Sequence, residues 1–271
     1  MLGCKVLCSI FDGNRPLISM LMSRFFMELS FDGTAYHGWQ EQPNARTVQA
    51  VVEEILATLT RDRVKLTGAG RTDAGVHARF FTAHFDGDHP LFANGPALIY
   101  KMNALLPPDI AIQDVYQVLP EAHARYSAVS RTYQYIISTV RDPFDTAFSW
   151  YFPTPLQLER MNETAAMLAD FNDYTSFSKL HGNSKTNLCK VMDARWMPVH
   201  GKLIFTIRAD RFLRNMVRAL VGTMVDVGRG RISQEDFTGI LKGKDRSLAG
   251  YSAPAKGLSL VDVEYPDGIR V

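Results

Sequence analysis

Cysteine is scarce, with three in 271 residues. Cys4 and Cys8 sit close to the start of the chain and Cys189 stands alone, with no histidine at a zinc-ligand spacing from any of them. Neither a disulfide framework nor a structural zinc site is indicated, and a reducing, cytoplasmic setting is the simplest fit. Long apolar runs are missing too. None approaches the roughly twenty residues of a membrane span. The patch at residues 6–11 is broken by Asp12, Asn14, Arg15 and Pro16, which excludes a signal peptide. Net charge is almost absent, at +2 from 30 basic and 28 acidic residues, so any nucleic-acid footprint must be local. What remains is ordinary for a soluble globular protein, with 46% hydrophobic and 21% charged residues. The length suggests one large or two modest domains.

Periodicity supplies the elements. Phe25, Met27, Leu29 and Phe31 alternate, which predicts a half-buried strand ended by Asp32-Gly33. Thr47 is placed to cap a helix carrying Val48, Val51, Val52, Ile55, Leu56 and Leu59. Short strands are expected at 64–67 and 79–86, then a helix at 95–106 stopped by Pro107-Pro108. A similar order follows: a strand at 131–139, a helix begun by Thr154-Pro155, and a hairpin of 190–198 with 202–209 turned at His200-Gly201. Asp210 is read as the cap of an amphipathic helix reaching Val227 and ended by Gly228, and 258–265 as a last strand. The expectation is an α+β fold of two similar halves, with mainly antiparallel sheets and helices on one face. Residues 1–21 are read as a tail outside the fold, 22–118 as the first subdomain and 119–271 as the second.

Against this background one stretch stands out, Gly68-Ala69-Gly70-Arg71-Thr72-Asp73-Ala74-Gly75-Val76-His77-Ala78. It is too glycine-rich for the interior of a helix or strand and lies between two apolar segments, so it reads as a loop that presents polar groups. Asp73 is its candidate nucleophile or general base. A dinucleotide fingerprint does not fit, because Asp73 stands where that pattern needs glycine and the following segment reads as a strand. No Gly-Lys-Ser/Thr follows, which excludes a P-loop. A structural turn with Asp73 as its Asx residue is the alternative.

Two further groups carry chemistry. Between Arg208 and Arg231 lie six arginines and two aspartates, net +4. Arg211, Arg214 and Arg218 share one face if the helix begins at Arg211, a face able to hold phosphates. A solvated face is the plainer reading. Arg218 borders the apolar face, and a partly buried arginine calls for an acidic partner. Tyr133 and Tyr135 project from one side of a strand. Tyr135 reads as core, whereas Tyr133, near Arg131, Arg125 and Tyr126, suits stacking on an unpaired base.

These residues bring a family into view. Asp32-Gly33-Thr34, Gly38-Trp39-Gln40, Gln42-Pro43-Asn44, Thr47-Val48-Gln49 and the run from Gly70 to Ala78 resemble the bacterial tRNA pseudouridine synthase A family. So do Ala104-Leu105-Leu106-Pro107, His123-Ala124-Arg125-Tyr126-Ser127-Ala128, Arg131-Thr132-Tyr133-Gln134-Tyr135, Met216-Val217-Arg218, Asp245-Arg246-Ser247 and Ala253-Pro254-Ala255-Lys256-Gly257-Leu258. They follow the family's order from about Ser23 to Pro266. Where the family often has Phe-Arg this chain has Phe177-Ser178, and Lys179 would take over that charge.

The resemblance implies the pseudouridine synthase fold, two subdomains around a central cleft. It implies an isomerase that converts uridine to pseudouridine in the anticodon stem-loop of tRNA at positions 38, 39 and 40. No cofactor or metal is expected, and the partners implied are tRNA and a second copy of the chain. Asp73 would be the essential carboxylate and Arg218 the cation that keeps it ionised. Tyr133 would stack on the target base, Arg71 would fill the place of the extruded base and Leu258 would wall the pocket. Arg211, Arg214 and Lys179 would meet the RNA backbone.

Overall fold

A computed structural model describes residues 22–179 and 186–271, so the tail at 1–21 lies outside the described residues. The chain opens with β1 (Ser23–Phe31), α1 (Val48–Thr60), β2 (Thr67–Gly68), β3 (His77–Gly87), α2 (Gly95–Leu105) and β4 (Ile110–Val118). It continues with β5 (Ser130–Ser138), β6 (Trp150–Tyr151), α3 (Leu158–Ala166), β7 (Val191–Val199) and β8 (Lys202–Ala209). Then come α4 (Met216–Gly228), α5 (Gln234–Gly243) and β9 (Leu258–Glu264).

The sheets expected for the two halves are one sheet. Its order is β4-β1-β3-β9-β5-β8-β7, with β2 added to β3 and β6 to β5. Neighbours run antiparallel except β3 with β9 and β5 with β6. The final strand therefore closes the seam. It pairs with β3 through His77 and Ala78, and with β5 from Ser130 to Tyr135.

Two apolar cores flank that seam. One gathers Phe25, Met27, Leu29 and Phe31 of β1 with α1, α2 and β4, and takes Leu260 and Val263 from β9. The other gathers β5, β7 and β8 with α3, α4 and α5, and takes Leu258. Tyr133 packs against both. β1 is buried on both faces at Phe26, which packs with Val118, Ala122 and Ala124 on the far side from α1.

Several boundaries differ from expectation for tertiary reasons. The pairing expected at 64–67 is confined to Thr67 and Gly68. α3 starts at Leu158, not at Thr154-Pro155, because Leu156 packs into the second core and the Gln157 N–H bonds the Gly228 carbonyl at 2.8 Å. α4 starts at Met216, not at Arg211, because Asn215 sits in the left-handed region at φ 68° and breaks the helical path. β4 and α5 were not expected. α5 has a local signal, a capping box in which Ser233 and Asp236 bond each other's backbone N–H.

Candidate active site

β2 and β3 form a hairpin whose connection is the glycine-rich loop, opened by the Ala69 N–H on the Thr82 carbonyl at 2.7 Å. The Asp73 carbonyl accepts from the Val76 N–H at 3.1 Å, closing a four-residue turn with Gly75 at φ 75°. That positive φ suits glycine at the third position of the turn. The segment before α1 braces the loop. Trp39 N–H donates to Thr72 Oγ1 at 2.9 Å, and Gly75 N–H donates to the Tyr36 carbonyl at 3.2 Å. Gly38, at φ 86°, permits this approach, since a Cβ there would lie 2.2 Å from the Thr72 carbonyl oxygen. Trp39 itself is buried and stacks on Phe81 with ring centroids 4.2 Å apart. Just past the turn, the buried His77 accepts the Gly33 N–H at 3.0 Å through Nδ1. Its Nε2 lies 3.1 Å from the Ala147 and Lys256 carbonyls.

The opposing wall comes from the end of β8 and the start of α4. Arg218, in the first turn of α4, donates Nε–H to the Ala253 carbonyl at 2.7 Å and holds Nη1 at 3.4 Å from Asp73 Oδ2. The Ala253 N–H returns a bond to the Arg218 carbonyl at 2.9 Å. Arg214 Nε stands 3.6 Å from Asp73 Oδ1. The Asp73 and Arg218 side chains are 21% and 20% exposed, while Arg214 is 60% exposed. The carboxylate thus meets one enclosed and one solvated guanidinium.

Tyr133 lies on β5 between the two cores, with its ring edge-on to Phe212 at 5.0 Å. Burial pushes its phenol up to about 12. The Arg131 charge opposes that shift and the Asp73 charge adds to it. Tyr133 and Asp73 therefore feel each other, and the phenol keeps its proton through the neutral range. Leu258 is buried at the start of β9, opposite Tyr135 of β5.

Not every arginine of the sequence reading joins this group. Arg211, Arg214 and Arg218 do not share a helical face, since the first two precede α4. Arg211 turns toward Thr186, with Nη1 at 3.3 Å from Oγ1. Lys179 is exposed, and its backbone N–H bonds the Arg214 carbonyl at 3.0 Å, which sets it at the rim. Arg71 is exposed at the loop tip.

Sequence reasoning missed what Arg131 does. Read beside Tyr133 as part of a stacking group, its guanidinium is turned inward. It donates Nη1 to Ala128 O at 3.1 Å and Asp210 O at 2.8 Å, and Nη2 to Ala69 O at 3.1 Å and Arg125 O. Among the described residues no carboxylate pairs with it. Four carbonyl dipoles hold the charge, although burial lowers its affinity for the proton. One residue so ties the loop before Asp73 to the segment leading into Arg214. No pattern in the sequence marks it, because its acceptors are backbone groups far apart in the chain.

A family model described as tRNA pseudouridine synthase matches residues 166–266. A tRNA pseudouridine synthase A of Parabacteroides distasonis is 50% identical over 246 residues, covering 91% of this chain and 97% of the relative. One of Bacteroides thetaiotaomicron is 49% identical over 251 residues, covering 92% and 93%. A more distant one, of Syntrophotalea carbinolica, is 40% identical over 248 residues, covering 90% and 97%. Identity of this extent, over nearly the whole of both chains, places this chain in the tRNA pseudouridine synthase A family.

Proposed function

We propose that this chain isomerises uridine to pseudouridine in the anticodon stem-loop of tRNA, at positions 38, 39 and 40, with Asp73 as the reacting carboxylate. The observation that carries the reading is the Asp73 side chain, presented from a braced turn and met by Arg218 at 3.4 Å and Arg214 at 3.6 Å. It occurs in a chain half identical to enzymes named for that reaction.

The isomerisation breaks the N1–C1′ bond, turns the base and joins C5 to C1′. The hydrogen on C5 leaves to solvent and N1 regains a proton, so atoms and electrons balance without an external reductant or water. A carboxylate serves by attacking C1′, by adding to the base at C6, or by removing the C2′ proton, and each role needs it ionised. The two guanidiniums supply the matching charge in a partly enclosed site. Arg218 is held twice by residue 253 and so is fixed before substrate arrives. Tyr133, protonated until about pH 12, offers a flat face to the base and a hydroxyl to move a proton. Leu258 walls the pocket. A base in a stem must leave the stack to reach Asp73, and Arg71 at the loop tip fills its place. Arg211, Arg214 and Lys179 line the approach for phosphates. A homodimer and a cytoplasmic setting belong to the same reading, supported by membership of the family. Among the described residues no helix is long and apolar enough to cross a membrane.

The test is tritium release from tRNA labelled at uridine C5, with mapping of the modified positions. Release stoichiometric with pseudouridine at 38–40 supports the reading. Absence of both from unmodified tRNA carrying uridine there overturns it.

A further inference from the structure

The turn between β4 and β5 is more ordered than a connection requires. Ser127 N–H donates to the His123 carbonyl at 2.9 Å, and His123 N–H donates to Ser127 Oγ at 2.9 Å. His123 Nδ1 then accepts the N–H groups of Arg125 and Tyr126 at 3.1 and 3.3 Å. His84 Nδ1 accepts the Ala124 N–H at 3.1 Å, and the Tyr265 hydroxyl donates to the Ala124 carbonyl at 2.6 Å. On this base stands Tyr126, 76% exposed. Its ring lies 4.4 Å from the His123 imidazole, and the Arg125 guanidinium stands 5.5 Å from the ring centroid.

Exposure alone decides nothing, since Tyr100 and Phe144 are at least as exposed. Position does. The same Arg131 nitrogen that holds the Arg125 carbonyl holds the Ala69 carbonyl, two residues before Arg71 and four before Asp73. The turn and the catalytic loop are therefore clamped side by side. An exposed aromatic ring with a guanidinium over it, held beside the loop that carries Asp73, has the makings of a stacking surface.

Resting on the functional reading above, we propose that the 123–127 turn is an RNA platform: Tyr126 stacks on one unpaired base of the substrate's anticodon loop and Arg125 meets the neighbouring phosphate. The turn's hydrogen bonds order the backbone that carries the ring, so less conformational freedom is lost on binding.

The experiment measures equilibrium binding of an anticodon stem-loop RNA to the full chain and to Tyr126→Ala, Tyr126→Leu, Tyr126→Phe and Arg125→Ala, across a range of salt. Losing one stacked base weakens binding by about tenfold. Tyr126→Ala and Tyr126→Leu are expected to show this with an unchanged salt slope, and Tyr126→Phe to stay within about twofold. Arg125→Ala is expected to make the slope shallower by about one. A stem closed as a continuous duplex, with no unpaired base, is expected to bind the Tyr126 variants and the unaltered chain alike. A 2-aminopurine in the loop is expected to be quenched by the unaltered chain and not by Tyr126→Leu. Unchanged affinity in both Tyr126→Ala and Tyr126→Leu overturns the platform, as does an equal loss on the continuous duplex. If the unaltered chain releases no tritium from tRNA, the enzymatic reading fails. If it turns over normally while the Tyr126 variants bind normally, the platform alone fails.

Discussion

Asp73 and Arg218 face each other at 3.4 Å, yet the chain holds them there by different means. Asp73 rides on a loop without regular structure, fixed by backbone bonds to Tyr36, by Trp39 on Thr72, and by the Arg131 clamp on Ala69. Arg218 is set by a buried helix, and its guanidinium is pinned to the Ala253 carbonyl. Arg214 reaches the same carboxylate from outside the helix and stays mostly solvated. The difference teaches that the loop side places the Asp73 carboxylate by positioning main chain, whereas the helix side grades two cations by how firmly each side chain is anchored.

The sharpest break of this comparison is Asp73→Asn, which keeps the turn and removes the charge. Turnover on C5-tritiated tRNA is expected to fall by more than about a thousandfold, with RNA affinity within about threefold, because the change removes an interaction made in the transition state. Measurable pseudouridine from this variant would falsify the assignment.

On the helix side the anchored and solvated cations are expected to separate. Arg218→Ala is expected to lower kcat by about a hundredfold with little change in KM, the cost of losing one preorganised charge partner. Arg218→Lys is expected to recover little of that, since its ammonium sits on a flexible stem and lacks the Nε–H that fixes the guanidinium to Ala253. Arg214→Ala is expected to cost less in kcat and to reduce the salt slope of binding by about one. Identical kinetics for the two alanine variants would mean that anchoring does not matter.

Gly38→Ala probes the brace behind the loop. It puts a Cβ 2.2 Å from the Thr72 carbonyl oxygen at a φ of 86°. A loss of about 1–3 kcal/mol in urea unfolding is expected, with a fall in kcat at unchanged RNA affinity. Full stability and activity would show that the brace is dispensable.

The smallest effect concerns acid. Burial, with the nearby His123 and Arg24 charges, pushes the His84 imidazole down to about 4 from 6.5. The folded state therefore binds fewer protons than the unfolded one. Its stability is whole above pH 6.5 and declines as pH falls toward 4, by about 1–2 kcal/mol after allowance for solvent screening. His84 accepts the Ala124 N–H, so amides of residues 123–127 are expected to lose exchange protection before those of α4. His84→Gln is expected to flatten the dependence, and an unchanged acid limb in that variant would place its source elsewhere.

Much of the site was legible in the chain. Asp73 stands out because a lone carboxylate among glycines has no structural neighbour of its own kind, and Arg218 because it interrupts an apolar helical face. The pairing of β9 was not legible, since Leu258 to Glu264 reads as any terminal strand and nothing local says it lies between β3 and β5. Arg211, Arg214 and Arg218 were read on one helical face, and the left-handed Asn215 removed that shared face. The helix expected from Thr154-Pro155 formed but began later, at Leu158. Proline permits a first turn, but packing of Leu156 decides where the turn begins.

By itself, then, the sequence determined the identity of the loop, the apolar faces of α1 and α4 and the kinship of the chain, because turn glycines, periodicity and ordered motifs are local properties. Only the tertiary structure decided that the two halves share one sheet, that Arg131 clamps four carbonyls, and that two guanidiniums converge on Asp73. These depend on backbone groups and side chains far apart in the chain, 145 positions for Arg218 and Asp73. Their partners are set by the folded path and not by any neighbouring residue.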